Sequence, residues 1–100
     1  MSKGYWVANV DISNPDEYKK YATANAVPFR KFGGKFLTRG GKSEMVEGKL
    51  RSRVVVIEFP SFEAALACYR SPEYAAAKKL REGASVADIV VLEGYDGQQP

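Results

Sequence analysis

The sequence predicts an α+β protein of the ferredoxin-like type, a β-α-β-β-α-β sandwich. Three observations lead there. Four segments rich in β-branched and aromatic residues read as strands: "GYWVANVDI" (4–12), "GKFLTRG" (34–40), "RVVVIEF" (53–59) and "VADIVVLEGY" (86–95). Apolar residues at helical spacing fill the stretches after the first and the third strand. The second and third strands follow each other with no helix between them, which gives the order of the split β-α-β unit.

After the first strand, Asn14 is a suitable N-cap, Pro15 suits the first helical position, and Glu17 completes a capping-box pattern. Tyr18, Tyr21, Ala22, Asn25, Phe29 and Phe32 then fall near one helical stripe. Pro28 removes a hydrogen bond to the preceding turn, so a kink or a break into two pieces is expected there. Gly33 supplies the left-handed residue that closes a helix.

"GGKFLTRGG" (33–41) packs four glycines around five residues and raises the question of a phosphate-binding loop. "GKS" at 41–43 matches the tail of such a motif, but its leading glycine would have to stand where Phe36 stands. The motif also needs a helix next, whereas "GKSEMVEGKLRS" (41–52) reads as a loop running into the third strand. The glycines are therefore punctuation at the two ends of a short strand.

In the second helical stretch, Pro60-Ser61 opens a helix in which Phe62, Ala65, Leu66 and Tyr69 keep helical spacing. Ser71 and Pro72 restart it, and the second piece runs through "EYAAAKKLRE" to Gly83. Right-handed crossovers place both helical stretches on one face of the sheet. Strands one and three are expected in the centre and strand two at an edge, where Lys35 and Arg39 would discourage stray pairing.

One hundred residues correspond to one domain over 1–100, with a polar tail at 96–100. No apolar run is long enough to span a membrane, and "MSKGYWVANV" lacks a signal-peptide pattern, so the cytoplasm is the expected location. The single Cys68 fits a reducing compartment and permits no internal disulfide. The sequence has no histidine, which excludes Ser-His-Asp and Cys-His catalysis and zinc sites that use His. Acid–base work would fall to Asp, Glu, Tyr, Lys or bound water. The net charge is +3, with the positive charges concentrated between Arg30 and Arg53. That stretch reads as a solvated basic edge or as an attractor of an anionic ligand or nucleic acid.

Both faces of the central strands are apolar. Trp6, Ala8, Val10 and Ile12 alternate against Tyr5 and Val7; Val55, Ile57 and Phe59 alternate against Val54 and Val56; Ile89 and Val91 alternate against Val90 and Leu92. A sheet with helices on one side should be polar on the other. Something must cover the second face, and a symmetric homodimer joined through it is the simplest solution.

"GGKFLTRGG", Glu47-Gly48, "RVVVIEFPSFEAALACY" and "SPEY" together resemble the domain of unknown function family 1330, over nearly the whole chain. The joint occurrence of Glu58-Phe59-Pro60-Ser61, Tyr69, Ser71 and Tyr74 behind the double-glycine strand carries the resemblance. The family often has Trp before the tyrosine at 69, where this chain has Cys68. The resemblance implies a ferredoxin-like dimeric α+β barrel and supplies no reaction. Similar barrels include small cofactor-independent monooxygenases and isomerases.

Glu58, inside an otherwise apolar strand, is either satisfied by Arg39, Arg53 or a helix N-terminus, or is a partly desolvated acid–base group. Asn9 and Asp11 share one face of strand one, and Lys35 and Arg39 share one face of strand two. If those faces coincide, they form a polar cluster able to bind a carboxylate or phenolate. Tyr18, Tyr21, Tyr69 and Tyr74 lie near core stripes, as packing residues or as the lining of a pocket between helices and sheet. Cys68 falls just off the Phe62-to-Tyr69 stripe and reads as an inert filler.

The leading expectation is a dimeric protein with one small-molecule pocket per subunit between sheet and helices. It would be a binder or an enzyme using no metal or redox cofactor, with Glu58 and Arg39 as catalytic candidates. Asn9, Asp11, Tyr18, Tyr69 and Tyr74 are its ligand-binding candidates. The alternative is an RNA-binding module. "YWVANV" (5–10) resembles the first-strand signature of the RNA-recognition motif, with Trp6 in the stacking slot, but strand three lacks the aromatics and glycine the motif needs. Nucleic acid is thus disfavoured, and a non-catalytic assembly module stays open.

Overall fold

A computed structural model describes residues 2–100. The elements follow in the order β1 (Gly4–Ile12), α1 (Pro15–Ala24), α2 (Ala26–Lys31), β2 (Lys35–Arg39), β3 (Arg53–Phe59), α3 (Phe62–Tyr69), α4 (Pro72–Lys79) and β4 (Ser85–Glu93). The four strands form one antiparallel sheet in the order β2-β3-β1-β4, so β1 and β3 are central and β2 and β4 are the edges. Trp6 stands opposite Ile57 on one side and Val91 on the other; Ala8 stands opposite Val55 and Ile89.

The caps follow the sequence. The side chains of Asn14, Ser61 and Ser71 accept hydrogen bonds from the backbone N–H groups of Glu17, Ala64 and Tyr74, opening α1, α3 and α4. The first helical stretch does break in two, but at Asn25 and not at Pro28. Pro28 sits in the first turn of α2, where a missing N–H leaves no intrahelical bond unmade. Gly33 has φ +77° and ends that stretch as expected.

All four helices lie on one face of the sheet, against Trp6, Val55, Ile57 and Phe59. Trp6 anchors this core. It is 1% exposed, its indole Nε1 donates to the Ala65 carbonyl at 2.8 Å, and its ring meets Phe29 and Tyr74 edge-on at 5.1 and 4.9 Å. Burying a side chain of the Ile57 or Phe59 kind contributes roughly 1.5–3 kcal/mol. Because Trp6 points toward the helices, it cannot serve as a base-stacking platform; Tyr5 is the aromatic of β1 that faces the other way. Cys68 and Ala65 lie in the middle of the buried stripe of α3, so the cysteine belongs to the core and not beside it.

The opposite face carries no helix. Tyr5, Val7, Val54 and Val56 are half-buried there, and Val90 and Leu92 are exposed. Among the described residues, no helix is long and apolar enough to cross a membrane.

Candidate functional site

The site begins with a departure from strand regularity. In β2, Lys35 pairs with Glu58 and Phe36 with Ile57, but Thr38 pairs with Val56, so Leu37 is an extra, bulged residue. The bulge reverses the alternation for the rest of the strand. Lys35 faces the helix-free side beside Glu58, whereas Arg39 faces the helices opposite Val55. The expected shared face of Lys35 and Arg39 is therefore corrected: regular alternation fails at Leu37.

Arg39 lies at the rim of a pocket between sheet and helices. Ala8, Val10, Val55 and Ile57 form its floor, and Phe29 and Phe36 stand in its wall. Tyr18, Tyr21 and Asn25 hang into it from α1 and its end. The enclosed space is about 30 Å³, room for roughly two waters, and about 480 Å³ when the open cleft above it is included.

Three guanidiniums line this pocket: Arg39, Arg53 and Arg81. Neither Asp nor Glu lines it, and among the described residues none of the three arginines is in an ion pair. Arg39 stacks on the Phe36 ring, with Cζ 4.1 Å from its centroid. Arg53 lies against Gly40, which has φ +71°; a Cβ there would strike the guanidinium. Arg81 is the deepest of the three. It is 9% exposed, its Nε has no hydrogen-bond partner, and its closest one, from Nη2 to the Tyr74 hydroxyl, is long at 3.5 Å.

Phenols surround Arg81. The Tyr21 and Tyr74 hydroxyls share a hydrogen bond of 2.8 Å, and Arg81 lies over the Tyr21 ring at 5.5 Å. Burial pushes the Tyr18 phenol up from its ordinary pKa, and the nearby Arg53 and Arg81 charges oppose that rise. Tyr21 is raised further, by burial and by Tyr74. Both are thus neutral hydrogen-bond donors at ordinary pH. Asn25, 6% exposed, leaves its Oδ1 without a partner.

Of the residues singled out from sequence, Arg39, Tyr18 and Tyr74 gather at this pocket, Tyr18 and Arg39 in its lining and Tyr74 behind Arg81. Tyr69 packs on Trp6 and Tyr74, with ring centroids 5.6 and 5.2 Å away. Glu58, Asn9 and Asp11 stand on the helix-free face, away from Arg39. The partner of Glu58 is Lys3 at 3.9 Å, not an arginine. Asp11 accepts from Arg51 at 2.9 Å and from the Ser52 N–H at 3.0 Å; these bonds, the backbone one foremost, hold its carboxyl below the usual range. Arg51 also donates to Asp88 at 2.9 Å, tying the 41–52 loop across that face.

Arg53 as a pocket residue, and Arg81 altogether, escaped the sequence reading, although both carried a signal. Arg53 alternates in phase with Val55, Ile57 and Phe59, and Arg81 continues the buried Tyr74–Ala77 stripe at helical spacing. A charge on an apolar stripe marks a pocket or a buried pair. Among the described residues, no group of three His, Cys, Asp or Glu side chains could hold a metal ion.

The fold and this pocket define a ferredoxin-like α+β protein with a cationic, aromatic-walled cleft under its helices. The chain matches the Domain of unknown function (DUF1330) over residues 3–95 and belongs to that family. A protein of unknown function from Rhodopseudomonas palustris is similar in structure, with TM-score 0.73, 22% identity, and coverage of 99% of this chain and 85% of that one. The cofactor-independent oxygenase SnoaB from Streptomyces nogalater superposes with TM-score 0.63 at 13% identity, over 100% of this chain and 97% of its own. A dimeric protein of unknown function and ferredoxin-like fold from Bacteroides fragilis gives 0.61 at 13% identity, over 91% and 95%. These likenesses establish the fold. No curated protein matches the chain.

Proposed function

We propose that the protein binds a small anionic, largely aromatic metabolite in the pocket between sheet and helices, as a homodimer joined through its helix-free face. One observation carries the ligand class: Arg81, a guanidinium nine-tenths buried among neutral phenols with no carboxylate beside it. A buried charge without a counter-ion is costly, and an anion entering the pocket would remove that cost. Phe29, Phe36 and the aliphatic floor suit a flat apolar body behind the acidic group. With little enclosed space, a ring would need α1 to shift outward, and the boundary between α1 and α2 at Asn25 is where that could happen.

In the same reading, Glu58, Asn9 and Asp11 belong to the dimer face. The half-buried Asn9 has an unpartnered Oδ1 there, beside the apolar belt of Val7, Val54 and Val56. If the bound acid is turned over, Tyr18, which lines the pocket with Arg53 and Arg81, is the proton-bearing group at hand.

The test is titration calorimetry with benzoate and 4-hydroxybenzoate. Saturable binding by the native protein and its loss in Arg81→Met are expected. Equal binding by both proteins, or by neither, would remove the pocket from the function.

A further inference from the structure

Building on that reading of the pocket, we propose that its ligand carries two acidic groups on a flat apolar spacer. Arg81 and Arg53 hold the inner group beside Tyr18, and Arg39 holds the outer one.

The charge count comes first. Three guanidiniums and no carboxylate line one cleft. A monoanion would leave two positive charges unneutralised in a partly desolvated space; a dianion leaves one. The arginines also differ in depth. Arg81 is buried, Arg53 half-buried and Arg39 exposed at the rim, so the cations are graded in depth and a second acidic group would meet a cation of its own at the mouth. Arg39 stands opposite Val55, two residues past Arg53 on β3, and its guanidinium leans onward over Phe36, opposite Ile57, while that of Arg53 lies at Gly40; apolar Val55 is what separates the two side chains.

The way Arg39 is aimed adds an independent argument. Without the extra residue at Leu37, Arg39 would stand on the helix-free face with Lys35. The bulge interrupts the ladder of an edge strand and turns this one side chain to the cleft. Its guanidinium then lies over the Phe36 ring, 4.1 Å from the centroid, with no ion pair of its own, and can take a carboxylate. Gly40, by lacking a Cβ, leaves the space that the Arg53 guanidinium occupies.

The test compares two probes that share one ring, benzoate and terephthalate, by calorimetry on the native protein, Arg39→Met and Arg39→Glu. Arg39 is exposed, so neither substitution threatens folding. Native protein should bind terephthalate about tenfold or more tightly than benzoate, as one charge-assisted contact predicts. Arg39→Met should shrink that ratio to about threefold or less, and Arg39→Glu should invert it. If benzoate binds and terephthalate binds no better, or if the preference survives Arg39→Glu, the two-acid proposal is overturned while the anion pocket stands. If neither probe binds, both fall together.

Discussion

Lys35 and Arg39 lie four residues apart on one short strand yet stand on opposite faces of the sheet. In a regular strand they would share a face. The extra residue at Leu37 separates them, sending Lys35 to the Glu58 side and Arg39 to the pocket. One bulge thus divides the basic stretch between two surfaces. Lys35 and Arg51 go to the helix-free face, Arg39 and Arg53 to the cleft, and Lys31 pairs with Glu73 on the helices.

Arg81 should trade stability for binding. Replacing an unpaired buried guanidinium with Met keeps much of the volume and removes the desolvated charge, so Arg81→Met should stabilise the ligand-free protein by about 1 kcal/mol or more. For a domain of this size that raises Tm by about 4–8 °C. Thermal melts with and without benzoate check both halves: a higher Tm without ligand and no further rise with it. A lower Tm in the variant would mean that Arg81 is structural.

The elements were legible in the sequence because each is specified locally. Asn14, Ser61 and Ser71 are caps by residue type, and β3 runs over Arg53–Phe59 as its unbroken β-branched run predicts. The site was legible only in pieces. Whether β2 is regular depends on its pairing with β3, and nothing in "KFLTR" announces that Leu37 is the residue left over. The helix break moved from Pro28 to Asn25 because a proline disturbs only a turn that precedes it, and α2 starts just before it. Glu58 drew attention as a charge in an apolar strand. Its alternation with Ile57 and Phe59 sends it to the face without helices, where Lys3 and Lys35 meet it.

Tyr74 should behave as the keystone of the phenol network. It is fully buried and bonds the Tyr21 hydroxyl at 2.8 Å. Tyr74→Phe leaves that hydroxyl unpaired in the interior and should cost about 1–3 kcal/mol. Removing both hydroxyls should be less damaging than the sum of the single changes, with a coupling of about 0.5–1.5 kcal/mol. Urea denaturation of the four proteins closes the cycle, and strict additivity would show that the hydroxyls do not interact.

The helix-free face can be tested without touching the pocket. Val90 is 48% exposed there, opposite Val7 on the neighbouring strand. A carboxylate at that place is harmless to a monomer and intolerable inside an apolar interface. Val90→Glu should therefore sediment as a folded monomer at concentrations where the native chain sediments as a dimer. A native chain that stays monomeric throughout, or a variant that remains dimeric, would place the contact elsewhere.

Alkaline pH should destabilise the protein, beginning with Cys68. Burial pushes its thiol from the ordinary 9.0 up to about 12, with a smaller push from the Glu73 charge. Above about pH 9 the unfolded chain therefore loses a proton that the folded chain keeps, so the free energy of unfolding falls as pH rises. The Tyr18 and Tyr21 phenols, also raised by burial, extend the loss beyond their ordinary value of 10. Cys68→Ala lacks the first of these titrations. Its Tm should fall less than that of the native chain from about pH 9 upward, the gap widening until the folded thiol itself titrates at about 12, whatever its starting Tm. The same burial predicts that a thiol reagent labels the native chain only at the rate of unfolding. Parallel curves through the whole range, or rapid labelling of the folded protein, would show that Cys68 is open to solvent.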